Sequence, residues 1–181
     1  RHDTNNVLIV GTGRLARFMA HAHCTGRYVE RLFIWGRNAQ HAQSLASTLR
    51  EEGLPAEVAA DLEHAVGDSH IVSCETTATA PVVRGAWLAP GTHVDLVGAF
   101  KRNMREVDDA AVVRSRIYVD TYAGTLAEAA DIIEPIERGF IARHDVRGEL
   151  AELVTVVVPG RSDAGEITLF KSVGTAIEDL A

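Results

Sequence analysis

Val7-Leu8-Ile9-Val10-Gly11-Thr12-Gly13-Arg14-Leu15-Ala16 is the stretch on which the reading of the chain turns. Four apolar, mostly β-branched residues predict a buried strand, and the glycines after them permit a tight turn and a close approach of backbone to a ligand. Arg14 to Cys24 then has helical character, with Leu15, Phe18, Met19 and Ala22 on one stripe. Strand, glycine turn and helix together are the setting in which G-x-G-x-x-A becomes a dinucleotide-binding fingerprint. In that reading Gly11 makes the turn, Gly13 admits the pyrophosphate and Ala16 lets helix and strand pack closely, while the free N–H groups of Thr12 to Leu15 face the anion. A plain strand-to-helix turn with incidental glycines is the alternative, and the next strand separates the two.

Arg31 to Trp35 predicts that second strand, and Ala39 to Glu52 an amphipathic helix closed by Gly53 and Pro55. The end of the second strand sits beside the adenosine ribose in such a fold, where an acid would accept from the 2′-hydroxyl of NAD. Here it reads Trp35-Gly36-Arg37-Asn38, with no acid. Gly36 makes room for a 2′-phosphate and Arg37 can bind it through a charge-assisted hydrogen bond, which favours NADP(H) over NAD(H). The competing reading of Arg37 is a solvated surface charge near a helix N-terminus.

Further along, Ala56 to Val58 predicts a short third strand, and Asp61 caps a helix running to Val66. A fourth strand ends at Cys74 and emerges at Glu75-Thr76-Thr77-Ala78-Thr79-Ala80-Pro81, where the hydroxyls of Thr76 and Thr77 are placed to touch a cofactor or to cap the backbone. Gly91 to Ala99 gives a fifth strand, Glu106 to Arg114 a helix, Ile117 to Asp120 a sixth strand and Thr125 to Asp131 another helix. The closing sections, Glu149 to Val158 and Glu166 to Ala181, predict helices and a strand. Strands separated by helices throughout match a doubly wound parallel sheet, a three-layer α/β/α Rossmann domain spanning residues 1–181.

The net charge of −7 and the lack of a basic cluster speak against nucleic acid as a partner. No apolar run approaches the ~20 residues of a membrane span. Cys24 and Cys74 are too few for a disulfide framework and read as reduced packing residues of a cytoplasmic protein; the eight histidines show no pairing that makes a metal site. Arg1 is not an initiator methionine, so the chain is expected to be a piece of a longer protein.

Taken together, Gly11-Thr-Gly13-Arg-Leu-Ala16, Thr76-Thr-Ala-Thr-Ala-Pro81, Asp95 to Asp108, Asp120-Thr-Tyr, Pro159-Gly-Arg161 and Glu166 to Asp179 resemble the ornithine cyclodeaminase and mu-crystallin family. The resemblance covers essentially the whole chain, and its last segment is close to a signature. It implies an NAD(P)-dependent enzyme acting on amino acids or cyclic imines, a homodimer built from a dimerising substrate domain and a Rossmann domain, of which this chain is the latter. The main catalytic residues would lie in the absent domain. Val97, Gly98, Ser172, Val173 and Gly174 would stand at the nicotinamide. Lys171 reads either as a proton donor or, preferably, as a salt bridge to Glu166 or Asp179, and His93 as a core residue.

Departures from the family pattern sharpen this expectation. Ornithine cyclodeaminases carry an acid shortly after the Val-Gly turn of the fifth strand, where this chain has Phe100. An aromatic ring transfers no proton, which favours members that only move hydride: reductases of Δ1-pyrroline-2-carboxylate or Δ1-piperideine-2-carboxylate. A cyclodeaminase using Asp95 instead, and a non-catalytic NADPH-dependent binding protein like mu-crystallin, are the alternatives. Gln is frequent in the family where Leu15 stands, and Pro where Arg102 stands.

Overall fold

The computed structural model describes residues 5–174. Eight strands, β1 (Asn6–Val10), β2 (Arg31–Trp35), β3 (Ala56–Val58), β4 (Ile71–Cys74), β5 (His93–Leu96), β6 (Ser115–Val119), β7 (Val146–Glu149) and β8 (Ile167–Lys171), form one parallel sheet in the order β3-β2-β1-β4-β5-β8-β6-β7. Between them run α1 (Arg14–Cys24), α2 (Ala39–Glu51), α3 (Leu62–Asp68), α4 (Asp109–Val113), α5 (Tyr122–Glu128), α6 (Ala130–Glu137) and α7 (Leu150–Val154). Among these residues no helix is long and apolar enough to cross a membrane.

The central strands are apolar on both faces because both faces are covered. Val7, Ile9, Leu32 and Ile34 pack on Ala16 and Ala20 of α1 and on Ala42, Ala46 and Leu49 of α2. Leu8, Val10, Val72, Val94 and Leu96 pack on the other side with Ala65 and Val66 of α3, Val112 of α4 and Ile132 of α6. Three layers result, as the strand and helix alternation implies.

Local chemistry accounts for the helix starts. Asn38 accepts from the N–H groups of Gln40 and His41, Asp61 from His64, Asp108 from Ala111 and Thr121 from Gly124. On α1 the buried face differs from the expected stripe. Ala16 and Ala20 lie against the sheet, while Leu15 and Phe18 are 41% and 62% exposed. Alanines let the helix axis come close to the strands, which turns the larger side chains outward.

Three further expectations are corrected. Six strands were anticipated and one more in the closing sections; that one is β8, inserted between β5 and β6, and an unanticipated strand, β7, precedes those sections at the sheet edge. The helix expected from Glu106 begins only at Asp109, because the Glu106 side chain is drawn into the core by backbone N–H groups and its own N–H is bound by Asp131. Finally, the helix expected over Thr125 to Asp131 is two helices that break at Ala129. Expectations for residues 175–181, Asp179 included, lie outside the described residues.

Candidate nucleotide site

Past the C-terminal ends of β1, β2 and β4 opens a cavity of about 270 Å³, lined by Gly11, Thr12, Gly13, Gly36, Arg37, Asn38, Thr76 and Thr77 among others. Residues read from separate stretches of sequence thus come together at the carboxyl edge of the sheet, where open α/β sheets bind ligands. A larger depression of about 610 Å³ lies at the opposite edge, around Arg114, Arg116 and Glu166, so size alone does not choose the site.

The glycine turn is built to receive something outside the chain. Gly11 has φ +138°, and a β-carbon there would lie 2.7 Å from the Glu75 carbonyl oxygen, so both its backbone and its surroundings demand glycine. Gly13 differs: its φ of −77° suits any residue, and a β-carbon would meet no atom within 4 Å. It is also the N-cap of α1 and offers no side-chain acceptor. Among the described residues, no acceptor reaches the N–H groups of Thr12, Gly13, Arg14 and Leu15. In α2, by contrast, Asn38 satisfies the corresponding donors. Open donors at a helix start, beside space that no side chain fills, fit the pyrophosphate of a dinucleotide.

Gly36 has a reason within the chain that the sequence did not show. A β-carbon there would come 2.6 Å from the Thr12 methyl, so the glycine also accommodates the first loop, while it lines the cavity. Arg37 is exposed at the cavity rim, and among the described residues no carboxylate binds it. His41 lines the same cavity and was not singled out from sequence, because an exposed histidine in a helix carries no pattern. Arg14 lines a neighbouring groove between α1 and α2, Leu15 is exposed beside it, and Ala16 is buried beneath.

Val97, Gly98, Ser172, Val173 and Gly174 do not line this cavity; they follow β5 and β8, two adjacent strands further along the same edge. The Ser172 N–H donates to the Leu96 carbonyl at 3.0 Å. Asp120, fully enclosed after β6, organises the turn: one carboxylate oxygen accepts from Ser172 Oγ and from the N–H groups of Val173 and Gly174 at 3.1, 2.7 and 3.0 Å. In the sequence it was marked by its place after a strand and by the Asp120-Thr-Tyr segment of the family resemblance.

For Lys171 the expected pairing with Glu166 is corrected, while the one with Asp179 lies outside the described residues. The lysine side chain is wholly buried, with Nζ 3.9 Å from Glu106 Oε2 and 3.8 Å from Asp131 Oδ2, while Glu166 pairs with Arg116. Burial pushes the Glu106 carboxyl up to about 7 against the pull of Lys171 and the Thr76 N–H. Burial likewise raises Asp131 and drives Glu75 well above the ordinary carboxylate range.

Asp95 is 7% exposed and does not line the cavity; its Oδ2 accepts from Ser73 Oγ at 3.1 Å and lies 3.3 Å from His23 Nε2, and the same Ser73 hydroxyl lies 2.6 Å from Glu75 Oε1. Phe100 is 40% exposed in the loop after β5. His93 is a core residue as expected: its Nδ1 lies 2.8 Å from Thr168 Oγ1, and burial lowers its pKa to about 4.

A model of the ornithine cyclodeaminase/mu-crystallin family matches residues 1–181. The chain is 43% identical over 183 residues to the Δ1-pyrroline-2-carboxylate reductase of Paracoccus denitrificans, covering 99% of this chain and 57% of that protein. It superposes on the Thermococcus litoralis Δ1-pyrroline-2-carboxylate reductase in complex with NADH and L-proline with a TM-score of 0.96 and 38% identity, over 99% of this chain and 56% of that one. The iminosuccinate reductase of Paracoccus denitrificans in complex with NAD+ follows at a TM-score of 0.90 and 26% identity, over 98% and 54%. The chain therefore spans a little over half the length of these relatives.

Proposed function

This chain belongs to the ornithine cyclodeaminase/mu-crystallin family, and we propose that it is the nucleotide-binding portion of an NADPH-dependent reductase that converts a cyclic ketimine such as Δ1-pyrroline-2-carboxylate to an L-amino acid. The observation that carries the choice of reductase over cyclodeaminase is the side chain of Phe100. Phe100 stands in the loop after β5, where cyclodeaminases carry an acid, and Asp95 is 7% exposed and accepts from Ser73 Oγ, so neither position offers a free base.

In this reading the N–H groups of Thr12, Gly13 and Arg14 hold the pyrophosphate, Thr76 and Thr77 flank it, and Val97, Gly98 and Ser172 to Gly174 border the nicotinamide. A bound reduced nicotinamide would supply the hydride for the C=N carbon. The proposal includes a substrate-binding domain outside these 181 residues that clamps the substrate carboxylate, a homodimer formed through it and a cytoplasmic setting; the length of the relatives and the free thiols of Cys24 and Cys74 support it.

The test is turnover by the intact protein. Loss of reduced-nicotinamide absorbance on mixing NADPH with Δ1-pyrroline-2-carboxylate, with proline formed, is the expected result. Ammonia and proline from L-ornithine plus NAD would overturn it in favour of a cyclodeaminase. Tight NADPH binding with no imine turned over would favour a binding protein.

The preference for NADPH rests on Arg37 and on the absence of an acid at the end of β2. Arg37→Asp should weaken NADPH binding by about ten- to a hundredfold, the loss of a hydrogen bond to a charged group plus repulsion, and NADH binding far less. Equal losses for both nucleotides, measured by titration, would remove Arg37 from the 2′-phosphate.

A further inference from the structure

Glu106 is wholly buried, yet it is the point at which three edges of the crevice meet. Its Oε1 accepts the Thr76 N–H at 2.6 Å, and its Oε2 accepts those of Gly98 and Ala99, each at 3.0 Å. Thr76 follows β4, and Gly98 and Ala99 follow β5. Behind the carboxylate stands Lys171, the last residue of β8, which also donates to the Leu96 carbonyl at 3.3 Å. The backbone of Glu106 is pinned in turn: its N–H and that of Val107 donate to Asp131 Oδ1 at 2.9 and 3.2 Å. Gly98 lets the two loops close on one another, since any β-carbon there would run into the Thr76 backbone and the Glu106 carboxylate.

This arrangement sorts the backbone donors along the crevice. At the glycine turn the N–H groups are open; at the β4 and β5 loops, the N–H groups of Thr76, Gly98 and Ala99 are spent on Glu106. We propose that ionised Glu106 is the positioning residue for the nicotinamide end of the site, clamping the β4 and β5 loops into one ledge against which the ring and its ribose are seated. The inference deepens the nucleotide-binding reading above and rests on it.

Protonation would weaken the clamp, because a proton on Oε2 displaces one of its two N–H donors and a proton on either oxygen removes the charge that strengthens all three bonds. The groups facing Glu106 are Lys171 from β8, Asp131 from α6 and Cys74 and Glu75 from β4 and its end, with Arg105 beside it on its own segment. Only Lys171 and Arg105 are cationic, and Arg105 is already paired with Asp109 and Glu134. Burial among mostly acidic neighbours places the titration near neutrality, at about 7. The folded-state value is raised, so the ionised form costs stability as pH rises towards it, while the ledge forms only above it.

The experiment compares two probes on the intact protein: NADPH, and 2′-phospho-ADP-ribose, which lacks the nicotinamide, with NADH and ADP-ribose run in parallel. Dissociation constants are measured from about pH 8.5 to about pH 5.5 for the wild type and Glu106→Gln. In the wild type the advantage of the complete nucleotide over the fragment should shrink by about tenfold as pH falls through neutrality, the equivalent of one charge-assisted hydrogen bond. Glu106→Gln, whose amide places a donor against at least one N–H, should show the reduced advantage at every pH while holding the fragment nearly as well as the wild type. An advantage that does not vary with pH in the wild type overturns the proposal, as does a Gln variant that loses fragment and complete nucleotide equally. Should the variant fail to fold, the wild-type series decides alone. Binding of neither probe would instead overturn the nucleotide reading, and the proposal with it.

Discussion

Gly13→Val is expected to abolish measurable binding of both NADPH and NADH while the protein stays folded. The isopropyl group would occupy the space in front of the open N–H groups of Thr12 to Leu15, where no protein atom now stands within 4 Å of the position of its β-carbon. The fold itself has little to lose. Gly13 already has a φ of −77°, so valine enters without backbone strain. It is a poorer N-cap than glycine by roughly 1 kcal/mol, which lowers the melting temperature by about 2–4 °C in a domain of this size. Gly11→Val is the contrasting variant: with φ +138° and the Glu75 carbonyl in its way, it should unfold the turn and lose binding and stability together. The pair is read by thermal melting alongside nucleotide titration. Wild-type affinity in a folded Gly13→Val protein would show that the pyrophosphate does not rest on this turn.

Lys171→Met should cost about 3–5 kcal/mol, the penalty for breaking a buried ion pair by removing one partner. The methionine fills a similar volume, so the loss is one of charge: Glu106 and Asp131 would remain buried together with no cation between them. Against a total stability of about 5–15 kcal/mol, that is enough to leave a substantial unfolded fraction on warming. The sign of its pH dependence identifies the cause. Removing Lys171 raises both carboxyl pKa values further, so protonation relieves the repulsion, and the penalty should be smaller at about pH 5.5 than at about pH 8. Urea unfolding of the wild type and the variant at the two pH values measures the difference. A penalty of the same size at both would mean that Lys171 stabilises by packing its alkyl stem rather than by charge.

Residues whose roles depend on near neighbours in the chain were legible. Val7 to Val10 announce a strand covered on both sides, Gly11 to Ala16 a turn into a helix, and Asp61 a cap, because each effect acts within a few residues. Phe100 and Arg37 could be placed at the carboxyl edge because a parallel sheet sends that end of every strand the same way. Where the reading missed, partners lay far off in sequence. Leu15 and Phe18 satisfied helical periodicity, but the short side chains of Ala16 and Ala20 decided which face lies on the sheet. That Gly36 also gives room to Thr12 showed only in the fold. Glu106 followed helical periodicity into a helix it does not join, because three backbone N–H groups from two other loops compete for its carboxylate.

By itself the sequence determined the α/β class, the glycine turn into α1 and the strand ends that make up the sheet's carboxyl edge, because hydrophobic periodicity and glycine conformation are local properties. Tertiary structure alone decided that β8 enters the middle of the sheet, that Ser73 holds Asp95 and that Lys171 meets Glu106 and Asp131. A charged side chain can be left in a dry interior only where opposite charge and hydrogen-bond partners arrive from elsewhere in the chain, and no local pattern records which partners those will be.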